Sequence, residues 1–262
     1  MVEGLDKFRE FLGSYSNNYI IIGGTACNVI LEDAGTTPRV THDIDMIVVV
    51  EQLTKDFISA FWSFIRVGGY TMEKRQRKDG EPAYALYRFR RPIGTGFPSQ
   101  IELLARHSES LGEPGEAHIE PILMEDYQYS LSAIALDDDM YQLVVGNSIM
   151  VNGIRVASLE SLVCLKARAY LNLLKEREAG KQVNSDDIKK HRRDIVLLVA
   201  ARMETEPVSV PVSILETVNE FRQLVNTEES VSALMNSMRI DREQLNVYLE
   251  ALGELFIEEE QQ

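Results

Sequence analysis

Asp43 and Asp45 stand one residue apart in "RVTHDIDMIVVV" (39–50), at the mouth of an apolar, β-branched run. Side chains on a strand alternate between faces, so the two carboxylates share one face and Ile44 points to the other. Carboxylates held that close repel each other unless a cation lies between them. Hard oxygen ligands of this kind suit Mg²⁺, which takes one or two carboxylates together with substrate phosphates. Arg39 and Thr41 precede Asp43 at the same two-residue spacing. They can face the same way, where the arginine would neutralise the carboxylates or reach a phosphate. Glu102 in "SQIELLAR" (99–106) sits within an apolar strand pattern and needs a partner if buried. It reads either as a third metal ligand, able to take the proton of an attacking hydroxyl, or as a strand-edge glutamate in water.

Upstream, "YIIIGGTACNVIL" (19–31) interrupts two apolar stretches with Gly23-Gly24-Thr25. A strand entering a helix through two glycines lets backbone amides approach a ligand with no Cβ in the way. The helix start behind them offers unsatisfied N–H groups and partial positive charge, which suits a phosphate, and Thr25 adds a hydroxyl. The pattern lacks the Gly-Lys-Ser ending of a Walker loop and is not Gly-x-Gly-x-x-Gly. Taken alone, it is equally a tight turn.

These residues must be carried by a mixed framework. Helical periodicity runs over 5–13, over 25–35 with Thr25 as N-cap and Gly35 as stop, and over 53–69 to the Gly68-Gly69 pair. Strands are expected at 18–22, 44–50, 70–75, 84–91 and 99–105. The stretch 120–156 reads as further short strands and connections, with a hairpin at Asn152-Gly153. From Ser158 the signal is helical: 158–179, 185–203, 212–225, 228–236 and 240–257, with "EPVSVPVS" (206–213) as a connector. An α+β catalytic domain over 1–156 and a helical domain over 157–262 follow.

The Gly23-Gly24-Thr25-Ala26 turn, the "RVTHDIDM" stretch and the later acidic strand together resemble the nucleotidyltransferase fold of the polymerase β superfamily. Within it the chain is most similar to the abortive-infection AbiEii toxin-like nucleotidyltransferases. The likeness covers residues 15–105 and, more loosely, 150–200. It implies a nucleotidyltransferase-fold mixed sheet flanked by helices, followed by a C-terminal all-helical domain. It further implies that Gly23, Gly24 and Thr25 hold a nucleoside triphosphate, beside which the spacing of Arg39 and Thr41 places them as further nucleotide-binding candidates. Asp43, Asp45 and Glu102 would hold Mg²⁺, as two ions. The chain departs from the family pattern at Glu102, where an aspartate is usual.

In the helical half, Lys166 falls inside the apolar stripe of Leu159, Leu162, Val163, Ala169, Tyr170 and Leu173. Its stem can carry the ammonium out to water, or the cation can turn toward a cleft and hold the triphosphate; the resemblance favours the second. Asp194 in "RRDIVLL" matches a family aspartate and would support Lys166 or Arg168. Leu197 stands where the family often has a further aspartate. His191 is either a proton shuttle or a surface histidine.

Composition narrows the class. A formal net charge of −14 argues against passive coating of nucleic acid, since little counterion release is on offer. Basic residues nevertheless cluster at 73–80, 87–92 and 189–194, as acceptor tracks or as solvated faces. The pattern contains no run of about 18 apolar residues, the length of a membrane span. The N-terminal "MVEGLDKFREF" has no leader-like charge and apolar pattern, and Cys27 and Cys164 sit far apart in apolar runs. A cytoplasmic protein with reduced, buried thiols is expected. The resemblance implies Mg²⁺-dependent transfer of a nucleoside monophosphate to an acceptor hydroxyl, in the toxin-like reading on tRNA or a protein, with a small antitoxin as partner. The alternatives are transfer to a small cationic, aminoglycoside-like molecule, and a catalytically silent nucleotide-binding module.

Overall fold

The apolar run Tyr19–Ile22 forms a fully buried strand, β1, in the interior of a mixed sheet. The computed structural model describes residues 2–36, 38–76, 82–106, 119–122, 131–202 and 206–259, with the backbone alone at 72–76, 82–87, 119–122 and 131–135. The chain divides into two compact units: Met1–Val29 with Pro38–Ala157, and Ile30–Thr37 with Ser158–Gln262.

In the first unit, α1 (Leu5–Leu12) precedes β1, and α2 (Gly23–Asp33), which passes into the second unit at Ile30, follows it directly. Then come β2 (Asp43–Val48), α3 (Lys55–Gly68), β3 (Thr71–Gln76), β4 (Pro82–Arg90) and β5 (Gln100–Arg106). The unit continues through β6 (Ile119–Ile122), β7 (Leu131–Leu136), α4 (Asp138–Gly146), β8 (Ser148–Val151) and β9 (Ile154–Ala157). The sheet order is β3-β4-β5-β2-β1-β9-β8. β7 runs parallel to β5 at Leu104–Arg106 and pairs antiparallel with β6. β2 is antiparallel to β1 and parallel to β5, which places the acidic strand between two buried neighbours. Such a strand should be apolar on the face toward the core, and Ile44, Met46 and Val48 on that face are fully buried, as is Ile47 beyond the two aspartates on the other.

Helices cover one side of this sheet through an aromatic cluster. Phe8 of α1 meets Tyr19 and Phe64 edge-on, and Phe61 of α3 meets Phe89 of β4. Thr54 caps α3 by accepting from Phe57 N–H, and Gly69 ends it in the left-handed conformation, as the Gly68-Gly69 pair suggests. The hairpin at Asn152-Gly153 forms with both residues at positive φ, +48° and +79°.

Two elements differ from the sequence expectation. The stretch 120–156 contains helix α4, whose start "DDD" reads as a connection. Asp137 caps it by accepting from Met140 N–H, and Asp138 and Asp139 in its first turn suit the positive end of the helix. The C-terminal unit carries α5 (Leu159–Glu178), α6 (Ser185–Ala201), β10 (Val208–Val210), α7 (Val212–Val225), α8 (Glu228–Met238), α9 (Arg242–Glu254) and β11 (Phe256–Glu258). It is therefore helical but not all-helical, because β10 and β11 pair in parallel as a two-stranded ribbon. Among the described residues no helix is long and apolar enough to cross a membrane. Cys27 and Cys164 are buried and form no disulfide.

Candidate active site

β1 ends at Ile22, whose partner across the antiparallel ladder is Asp45. The next residue, Gly23, turns the chain into α2 with φ +68°, a conformation that L side chains rarely adopt. The register then brings Asp45 onto the turn: a Cβ at Gly23 would stand 2.2 Å from Asp45 Oδ2. Gly24 is crowded by the segment leading into β2. A Cβ there would stand 2.9 Å from Arg39 Nη2 and 3.0 Å from Thr41 Oγ1. Gly23 is thus required by backbone conformation and close approach, and Gly24 is favoured by close approach alone.

Thr25 is not the N-cap. The helix starts two residues earlier, and Thr25 is buried within its first turn, its hydroxyl donating to the Asp43 carbonyl at 2.6 Å. Asn28, one turn on, donates to the Arg39 carbonyl at 2.7 Å. These two bonds tie the start of α2 to both ends of the 39–43 segment. The hydroxyl of Thr25 is therefore spent on the strand rather than offered to a ligand. Thr41 is 8% exposed, and its hydroxyl oxygen is buried without a hydrogen-bond partner among the described residues.

Asp43 and Asp45 lie on one face of β2, the first exposed and the second half-buried, with Ile44 between them fully buried on the other. The parallel register sets Gln100 beside Asp43 and Glu102 beside Asp45. Glu102 is brought next to the acidic pair, but its carboxylate is occupied. Arg88 of β4, its partner on the other flank, donates from Nε to Glu102 Oε1 at 2.7 Å and again from Nη2. Among the described residues no group of three His, Cys, Asp or Glu side chains is placed to hold a metal ion. Two hard carboxylates on one strand, beside a turn free of Cβ atoms, fit a Mg²⁺ shared with substrate phosphates. A three-carboxylate site does not fit, because Arg88 holds the third carboxylate.

Asp43 also lines an open cavity of about 610 Å³, with Arg90, Arg91, Thr95, Ser99 and Gln100 among its walls. Arg90 donates to Gln100 Oε1 at 2.6 Å, and Arg91 takes a left-handed backbone, φ +53°. Of the basic run 73–80, residues 77–80 and all the side chains lie outside the described residues. In the run 189–194, Lys189 and Lys190 pair at 3.0 Å with Asp186 and Asp187, a solvated helix face.

In the second unit, Lys166 of α5 and Asp194 of α6 are buried together, Nζ to Oδ2 at 2.7 Å. The ammonium is engaged within its own unit by the aspartate that the sequence sets out as its support. Beside them, burial and then the Lys166 charge push the His191 imidazole down to about 4, so it stays neutral at pH 7. That makes it neither a surface histidine nor a shuttle poised near neutrality.

Sequence reasoning missed Arg88 as a site residue and placed it only within a basic run. Arg88 and Arg90 alternate on one strand, Gln100 and Glu102 on another, and the antiparallel register pairs each arginine with one of them. The alternation of these residues is visible in the sequence, but their pairing is set by strand register.

The sequence matches no protein-family model and no curated protein. Two solved structures from Helicobacter pylori are similar in outline. One is a candidate nucleotidyltransferase, with TM-score 0.39, 13% identity and coverage of 95% of this chain and 90% of that one. The other is JHP933, with TM-score 0.38, 13% identity and coverage of 95% and 88%. Likeness at this level does not assign an activity, which has to come from the site residues themselves.

Proposed function

We propose that the chain is a Mg²⁺-dependent nucleotidyltransferase. One observation carries the proposal: the Asp45 carboxylate packs against the Cβ-free turn at Gly23, so an acidic strand and an amide-lined helix start meet at one point. The first N–H groups of α2 have no carbonyl partners within the helix and would meet the triphosphate. Arg39 and Thr41, both against Gly24, would flank the same phosphates. Asp43 and Asp45 would hold the ion. A bound Mg²⁺ would lower the pKa of the acceptor hydroxyl and offset the charge of the departing pyrophosphate. The acceptor oxygen gives up its proton to solvent and forms a bond to the α-phosphorus as the bond to pyrophosphate breaks. Positioning would supply most of the rate, since the substrate already carries the reactive anhydride.

The proposed acceptor is the end of an RNA, on the resemblance to AbiEii-like toxins, and a small antitoxin would be the partner. Arg90 and Arg91 around the cavity beside Asp43 favour a phosphate-bearing acceptor over a cationic one. Incubation with labelled nucleoside triphosphates, Mg²⁺ and either total tRNA or an aminoglycoside panel tests this. Label is expected in RNA and absent from the small molecules. Absence of label from both supports the silent-module alternative.

A further inference from the structure

We infer that Glu102 is a positioning residue for Arg88 and not a metal ligand, so the acidic row takes its divalent ion on Asp43 and Asp45 alone. The inference rests on the proposed site. Four residues lie in one row across the sheet: Ile22 of β1, Asp45 of β2, Glu102 of β5 and Arg88 of β4. Neighbouring strands run about 4.8 Å apart, so Asp45 and Glu102 are like charges side by side. On the far flank the fold sets a cation, Arg88, against Glu102. Arg88 gives two donors to one Glu102 oxygen, and both side chains are largely withdrawn from water, 27% and 15% exposed.

The next rung repeats the arrangement without charge. Gln100, an amide, stands beside Asp43 and accepts from Arg90. β5 thus places an arginine-bound glutamate and an arginine-bound amide next to the two aspartates. To draw Glu102 into its shell, a metal ion would have to strip a charge-assisted contact from a half-buried guanidinium. Arg88 therefore stands as a built-in cation where a third ligand would otherwise face a second metal charge.

Mn²⁺ binding to the full chain without nucleotide, read by electron paramagnetic resonance, tests this. Glu102→Gln keeps an acceptor for Arg88 and should bind Mn²⁺ within about threefold of the wild type, whereas Asp45→Asn should lose at least about tenfold. Arg88→Met releases Glu102 and should tighten Mn²⁺ about tenfold, a gain that disappears in Arg88→Met/Glu102→Gln. A Glu102→Gln variant that loses Mn²⁺ as Asp45→Asn does would overturn the inference. So would Arg88→Met with no gain, including the case in which no variant binds. Should Arg88→Met fail to fold, the comparison of the other two variants still decides. The readout involves no nucleotide, so a failure of nucleotidyl transfer would count against the proposed function and leave this result standing.

Discussion

The carboxylate of Asp45 lies against the Cα of Gly23, so close that a methyl group there would come within 2.2 Å of Oδ2. Gly23 also holds φ +68°. Gly23→Ala should therefore lose about 1–3 kcal/mol of stability from the left-handed backbone, with further displacement of the carboxylate. Gly24→Ala meets mainly the end of the Arg39 side chain and should lose less. Urea denaturation of both variants measures the difference, and equal stability of Gly23→Ala and wild type would contradict the packing.

Thr25 joins the helix to the acidic strand through one hydrogen bond to the Asp43 carbonyl. Thr25→Val keeps the shape but leaves that carbonyl without its donor, at a cost of about 1–3 kcal/mol. Thr25→Ser restores the hydroxyl and should recover most of the loss. Thermal melts of the pair check this; equal losses in both would show that the methyl group, not the bond, matters.

Lys166 and Asp194 form a buried ion pair in the helical unit. Lys166→Met should cost about 3–5 kcal/mol, because it removes one member of a buried ion pair. Lys166→Met/Asp194→Leu should regain much of it by removing both charges. Chemical denaturation of the single and double variants reads the coupling directly.

His191 makes stability depend on pH. Its folded pKa is about 4, below the ordinary value of 6.5, so the unfolded chain binds the extra proton first. The contribution is fully present above pH 6.5 and is lost as pH falls toward 4. The slope between those limits should shrink in His191→Asn, by no more than about 3 kcal/mol in total. Denaturation curves at pH 7 and pH 5 for both proteins would show it. An identical pH dependence would mean that His191 is not buried as a neutral group.

Much of the framework was legible because its signals are local. Alternation around Ile44 marked a strand with two acids on one face, and Gly68-Gly69 and Asn152-Gly153 marked a helix end and a hairpin through backbone conformations that glycine and asparagine favour. Helix α4 was not legible, since a capping aspartate and two more at the start of nine residues look like a polar connection until the cap bond is seen. The β10–β11 ribbon joins segments separated by three helices, and short runs of three residues carry no periodicity. The site divides in the same way. The turn and the Asp-Ile-Asp strand can be picked out one by one, but the contact of Gly23 with Asp45 depends on strand register. The grip of Arg88 on Glu102 depends on which strand lies alongside β5, a long-range fact that spacing does not encode.

Pyrophosphate release from a nucleoside triphosphate with Mg²⁺, compared among wild type, Asp43→Ala and Asp45→Ala, tests the central claim most directly. Release should fall at least about 10³-fold in each variant while the melting temperature stays near that of the wild type. Retention of the wild-type rate by either variant would contradict the account. So would a wild-type protein that is stabilised by triphosphate and Mg²⁺ yet releases no pyrophosphate.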